Sequence, residues 1–262
     1  DVSEGFLGCI DEFAVYTGMP SAAELTNLNA FGTPTSTSAN TNADLAVYYS
    51  FDDANYIGKQ NDGYFAQPLQ SRVGTVTAVD GPNGRGKAAY FDGTSSLMAM
   101  AGFDVIDTLC YAGGDADSYT NKMTIAFSFK SEGPGRIFHA GAAGGAGFTV
   151  VDNIDGDGKL VTSTGDEWHI NEQVINDGKW HQVVWVFDRP AFIGTVYLDG
   201  VAIYEMDIQG TAMTTPDTAM RLGMSGWDWG SPEGGNEIFK GAVDDLYIYN
   251  KALAAAEVTG LW

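Results

Sequence analysis

From residue 45 onward, apolar residues come in short runs broken by Gly, Asn and Asp. Residues 123–129 show the pattern most clearly. Met123, Ile125, Phe127 and Phe129 share one parity, whereas Thr124, Ala126 and Ser128 take the other, which is the period of a strand with one buried face. Similar runs predict strands over 45–51, 88–91, 123–130, 135–140, 147–151, 159–163, 167–171, 180–188, 194–198, 201–208, 219–222 and 242–249. Between them, Asn61-Asp62-Gly63, Asp157-Gly158, Asn176-Asp177-Gly178 and Asp199-Gly200 tolerate positive φ, so each predicts a hairpin turn. No segment keeps a helical period for twelve residues or more. The expected fold is all-β, a two-sheet antiparallel jelly-roll sandwich.

The chain also repeats itself. Residues 4–28 align without gaps with residues 237–261, and ten of the 25 positions are identical. Each copy reads as a Gly-led strand bearing an acidic pair, Asp11-Glu12 or Asp244-Asp245. Tyr16 or Tyr249 follows near the strand end, and a short helical turn begins about Ser21 or Ala254. The offset of 233 residues is about the size of one domain. Residues 29–44 are rich in Ser, Thr and Asn, which is linker chemistry. The expected organisation has three parts. Residues 1–28 form a closing strand and turn homologous to 237–262, from a preceding module or docked here as an extension. Residues 29–44 form a linker, and residues 45–262 one complete module.

Six motifs follow in order along that module: Leu45-Ala-Val-Tyr-Tyr-Ser-Phe-Asp-Asp53, Lys87-Ala-Ala-Tyr-Phe-Asp-Gly-Thr-Ser-Ser96, Met123-Thr-Ile-Ala-Phe-Ser-Phe129, Asp177-Gly-Lys-Trp-His-Gln-Val-Val-Trp-Val-Phe-Asp188, Val196-Tyr-Leu-Asp-Gly-Val201 and the closing segment 239–257. Together they resemble the bacterial laminin G-like modules of the concanavalin A-like lectin/glucanase superfamily, related in architecture to pentraxins. The resemblance covers residues 45–262 nearly end to end. It implies two antiparallel sheets, a concave face, and binding of carbohydrate or protein, with activities that differ among members. It also implies a structural calcium ion near the first and last strands, where Asp52 or Asp62 would meet Asp244. Asp92, in the Phe-Asp-Gly-Thr turn, is either a further ligand or a turn cap.

Composition narrows the partners. The 13 Lys and Arg against 34 Asp and Glu leave a formal charge of −21 at pH 7. Such a surface repels phosphate backbones and anionic headgroups, so neither nucleic acid nor membrane insertion is expected. The longest apolar stretch, 183–187, falls far short of the ~20 residues that span a bilayer. The chain starts at Asp1 without an initiator Met or leader, which reads as a processed or excised piece of a longer protein. Acidity, few Lys, and abundant Gly, Thr and Asn point to a secreted or cell-surface, extracellular setting. Cys9 and Cys110 could form one disulfide or remain free.

Candidate chemistry lies in four places. Trp227-Asp228-Trp229 stands in a Gly/Ser/Pro-rich loop before the last strand, where two indoles are hard to bury together. Their faces could stack on sugar rings, while Asp228, Glu233, Asn236 and Glu237 accept hydroxyl bonds. Segment 153–158 opens like a calcium loop, but its twelfth position is Thr164, so a hairpin turn is the better reading. Trp180-His181 reads as structural. Glu167-Trp-His-Ile-Asn-Glu172 approaches the paired-carboxylate spacing of retaining glucanases, yet His169 replaces the central Asp, and a regular strand would turn Glu167 and Glu172 to opposite faces unless a bulge intervened. No Gly-x-Ser-x-Gly nucleophile turn is present. The expected function is a non-catalytic carbohydrate-binding or adhesion module of a larger protein, recognising a glycan or cell-surface protein. A structural repeat of an array or filament, joined to neighbouring homologous modules through residues 1–28, is the alternative. A glycan-active hydrolase using Glu167 and Glu172 is the second alternative.

Overall fold

The computed structural model describes residues 44–54, 57–58, 69–99, 122–141, 147–152, 157–164, 167–208, 220–224 and 238–261. The chain divides into two compact units, Asp1–Thr41 and Asn42–Trp262, and every described residue belongs to the second. Its strands are β1 (Leu45–Tyr49), β2 (Leu69–Val73), β3 (Thr77–Asp80), β4 (Lys87–Asp92), β5 (Ser96–Ala99), β6 (Lys122–Gly133), β7 (Gly135–Gly141), β8 (Gly147–Asp152), β9 (Lys159–Thr164), β10 (Glu167–Val174), β11 (His181–Asp188), β12 (Ile193–Leu198), β13 (Val201–Asp207), β14 (Met220–Leu222) and β15 (Lys240–Tyr249). One short helix, α1 (Ala255–Thr259), follows.

The strands form two sheets in which every ladder is antiparallel, as the alternation of the sequence predicts. One runs β13-β12-β11-β6-β15-β4-β3, with β1 also paired to β15, and the other runs β10-β9-β8-β7-β14-β5-β2. The inward parity of β6 (Met123, Ile125, Phe127, Phe129) meets Phe138 of β7 and Leu222 of β14 in one core, with the Phe127 and Phe138 rings 5.7 Å apart. The other parity of β6 is buried as well. Ala126 joins Val184, Val186, Leu253 and Val258 in a second cluster on the outer face of the eight-stranded sheet, because α1 and its approach pack there. Thr124 Oγ1 ties this layer down by donating to the Lys251 carbonyl at 2.7 Å and accepting the Leu253 N–H at 3.0 Å. Glu257 accepts the Ala254 N–H at 2.8 Å, which caps the first turn of α1 from one side only, since Ala254 has no side-chain oxygen to return the bond.

Each of the twelve expected strand segments overlaps an observed strand. Three strands escape the sequence pattern: β2 and β5 are short, and β3 is an edge strand whose side chains are exposed or half-exposed on both faces. Asp199-Gly200 makes the β12–β13 hairpin with φ of +51° and +76°, and Asp157-Gly158 lies in the link between the antiparallel strands β8 and β9. Asn176-Asp177-Gly178 departs from the expectation, since it carries the chain from the edge of one sheet (β10) to the other (β11) instead of closing a hairpin. Asn61-Asp62-Gly63 lies outside the described residues.

Candidate functional site

The outer partner of β15 changes halfway along it. Residues 240–243 pair with β4 and residues 246–249 with β1, while β6 flanks the opposite edge and slips register between Asp244 and Tyr247. Asp244 and Asp245 therefore stand at the joint between two partner strands, and Asp245 takes φ of +49°. Three carboxylates gather there. Asp52, just past β1, accepts the Lys87 N–H at 2.7 Å. Asp244 Oδ1 accepts the Asp245 N–H at 2.9 Å. Asp245 Oδ1 accepts the Tyr48 hydroxyl at 2.7 Å, and the Tyr48 ring stacks on Tyr247 at 4.4 Å.

This joint is electrostatically loaded. Asp244 is 3% exposed, and its Oδ2 lies beside Gly81 of the β3–β4 turn. Burial first, and then the charge of Asp245, push the Asp244 carboxyl up to about 8, with Asp52 adding a smaller push in the same direction. Burial also raises Asp245, against the lowering by the Tyr48 hydroxyl, and raises the Tyr48 and Tyr247 phenols beside it. The β3–β4 turn folds over the acids: a Cβ on Gly81 would meet the Arg85 carbonyl and Asp244 Oδ2, and one on Gly86 would land on Asp52 Oδ1. The Asp244 and Asp52 carboxylates and the adjacent Arg85 carbonyl are the kind of hard oxygen donors that calcium takes. Among the described residues no group of three carboxylate, imidazole or thiol side chains forms a metal-holding set.

The second site is on the seven-stranded sheet. Core-facing Phe138, Leu160 and Leu222 leave the alternate positions on its outer face. Registers place Arg221, His139, Thr149, Ser163 and Trp168 opposite one another in one row across β14, β7, β8, β9 and β10. At the β10 edge the row ends in an aromatic platform. Trp168 is 47% exposed, and the Arg136 guanidinium lies 5.0 Å from its ring centroid, a cation–π contact that steadies the indole. Ile170 and Val174, on the same parity, are also exposed. Lys159 and Glu172 pair at 2.9 Å beside them. The sequence reading missed this platform because the segment was read for its carboxylates. The available signal was the alternation Trp168, Ile170, Val174 on a strand too polar on its other parity to be buried throughout.

The expected site residues fall as follows. Asp52 and Asp244 come together across the joint. Asp92 sits apart from them as a turn cap, its Oδ1 accepting the Thr94 N–H at 2.8 Å and hydroxyl at 2.9 Å. Asp62, Trp227, Asp228, Trp229, Glu233, Asn236, Glu237, Cys9 and Cys110 lie outside the described residues. Glu172 is 84% exposed and ion-paired to Lys159. The β9–β10 pairing does slip, between Ile170 and Val174. His181 is structural, held by Asp199 at 2.8 Å and Asp177 at 3.2 Å.

A two-sheet antiparallel jelly roll with an acid joint in one sheet and an aromatic platform on the other defines a lectin-like class of β-sandwich. The laminin G-type family model described as the concanavalin A-like lectin/glucanases superfamily matches residues 109–259, and the chain belongs to this family. Among solved structures, domain 4 of AbnA, a GH43 extracellular arabinanase from Geobacillus stearothermophilus in complex with arabinotriose, is similar with a TM-score of 0.58. The two are 22% identical over 83% of this chain and 98% of that domain. The binding domain of botulinum neurotoxin DC, in complex with rat synaptotagmin II, gives 0.55 at 12% identity over 83% of this chain and 51% of the other. A botulinum neurotoxin type C structure, from a toxin whose cell entry depends on interaction with two ganglioside molecules, gives 0.58 at 12% identity over 85% and 51%. This chain thus spans about half of the toxin chains, and at these identities the likeness is one of fold. No curated protein sequence matches it. Among the described residues, no helix is long and apolar enough to cross a membrane.

Proposed function

We propose that the chain is a non-catalytic carbohydrate-binding module of a larger secreted or cell-surface protein. The observation that carries this reading is the Trp168 platform, an indole backed by the Arg136 guanidinium and exposed at the sheet edge. A sugar ring would stack on the open part of the indole while its hydroxyls bond to neighbouring polar groups. The arabinanase domain solved with arabinotriose, the toxin domain solved with synaptotagmin II and the toxin whose cell entry depends on interaction with gangliosides support glycan or cell-surface protein recognition on this fold. Loop residues Trp227, Asp228, Trp229, Glu233 and Asn236 would supply a second set of sugar contacts. A structural calcium ion held by Asp52, Asp244 and the Arg85 carbonyl would brace the β15 joint. Exposed, ion-paired Glu172 favours a module without hydrolytic chemistry.

The test is a glycan array followed by titration calorimetry on the best ligand, with Trp168→Ala and Trp227→Ala alongside. Removing an indole face is worth about 1.5–3 kcal/mol, so Trp168→Ala should weaken binding about tenfold or more. If no glycan is retained, or if Trp168→Ala binds as the parent does, the reading fails at this platform.

A further inference from the structure

One copy of the internal repeat has a known place in the fold, so each position of the other can be compared with the structural demand it answers. Phe239, fully buried, is matched by Phe6. Gly241 takes φ of +151°, and a Cβ there would strike the Lys130 carbonyl and the Phe239 ring; the other copy has Gly8. Buried Asp244 and Tyr249 are matched by Asp11 and Tyr16. Core residues Val243, Leu246 and Ile248 are matched by Ile10, Phe13 and Val15. In α1, buried Val258 is matched by Leu25, and the capping Glu257 by Glu24. Ser21, a better N-cap residue, stands where α1 has Ala254. The copies diverge where β15 and its turn are exposed or half-exposed: Lys240, Tyr247, Asn250 and Lys251 give way to Leu7, Ala14, Thr17 and Gly18.

Two unrelated strands share an apolar alternation by chance. They do not share a glycine required by a blocked Cβ, a buried acid at a partner switch and a capping glutamate, all in one frame. Among the described residues the closing-strand position itself is already taken, since β15 is flanked by β6 on one edge and by β4 and β1 on the other. We infer that residues 4–28 encode the closing strand and turn of a second module of this same type, placed before this one in the polypeptide and joined to it by the linker 29–44. The surface that fits this segment is thus a laminin G-like sandwich that lacks only its own closing strand. One departure marks a local difference: Pro20 stands where Leu253 donates its N–H to Thr124 Oγ1, a bond that proline cannot make.

The test exchanges the segments within the full chain. Residues 237–261 are replaced by the sequence of residues 4–28, once outright and once with Leu253 retained. A cooperative thermal transition with an intact near-UV circular dichroism spectrum is expected when Leu253 is retained, and its loss in both versions overturns the inference. As a second arm, Phe239→Asp in the parent chain should abolish the transition, whereas Phe6→Asp should leave its midpoint unchanged. An equal loss from Phe6→Asp would place residues 4–28 inside this module and overturn their assignment to a neighbour.

Discussion

Replacing Asp244 with Asn removes one charge from the β15 joint while keeping the side-chain shape and an oxygen able to accept the Asp245 N–H. Without metal, the folded chain holds the Asp244 proton up to about pH 8, against an ordinary value of 3.8. Between those values the folded state binds more protons than the unfolded one, so stability is highest below about pH 4, falls as pH rises to about 8, and then levels. Each pKa unit corresponds to ~1.4 kcal/mol, so the full shift sets an upper bound of about 6 kcal/mol at the alkaline end. Water reaching the site would cut this to about 2–3 kcal/mol. Asn cannot ionise. In EDTA, Asp244→Asn should match the parent at pH 4 and exceed it by about 2–3 kcal/mol at pH 8.5. With calcium at about a thousandfold excess over Kd the order should reverse, because binding stabilises the parent by mass action by about 4 kcal/mol. Urea unfolding across pH 4–9 in both media measures this. A variant destabilised equally with and without calcium, at every pH, would refute both the electrostatic account and the ion site.

Gly86→Ala should cost more than ~1 kcal/mol, because φ is +63° and the new Cβ would land on Asp52 Oδ1; calorimetry should also show the calcium-dependent gain in Tm shrinking. His181→Gln should cost about 1–2 kcal/mol at pH 6. Its hydrogen bond to Asp199 raises the imidazole above 6.5 against the lowering by burial, so the stability it adds is full below about 6.5 and fades as pH climbs through the folded value, leaving a smaller loss at pH 9. Trp185→Ala, at a core position 1% exposed, should cost about 3–5 kcal/mol in urea unfolding, while Trp168→Ala should leave the urea midpoint unchanged.

Much of this fold is readable from residue order, and the exceptions have physical causes. Residues 123–129 declare themselves because one parity is apolar throughout, and 183–187 because both parities are, one filling each of the two clusters. Leu69–Val73 carries Gln, Ser and Arg, and Thr77–Asp80 is an edge strand, so neither shows that contrast. Asn176-Asp177-Gly178 encodes a turn, with Gly178 at φ of +75°, but turn chemistry does not say which sheet receives the next strand. The meeting of Asp52 with Asp244 follows from the family resemblance. Its cause does not, because a partner switch along β15 exists only in the assembled sheet. Trp168 is the hardest case: its alternation with Ile170 marks one apolar face of the strand, but only the register with β9 and the end of the sheet at β10 show that this face points outward and stays open.

The acid joint and the platform belong to different sheets, and that separation has a testable consequence. A ten-residue strand such as β15 runs ~33 Å, longer than either β4 or β1, so two partners share its edge and leave ladder groups unmatched where they meet. Carboxylates answer that need, as Asp52 does for the Lys87 N–H and Asp244 for the Asp245 N–H. Negative charge therefore accumulates at the joint as a result of topology, and a proton or a cation must offset it. Arg136 and Trp168 take no part in that arrangement. Calcium should thus govern how tightly the sandwich holds together without setting how tightly a glycan stacks on Trp168. Titrations at a temperature well below the metal-free Tm should give the same glycan Kd in calcium and in EDTA. A Kd that weakens in EDTA while the protein remains folded would mean that the ion touches the sugar, and would place the binding site at the joint.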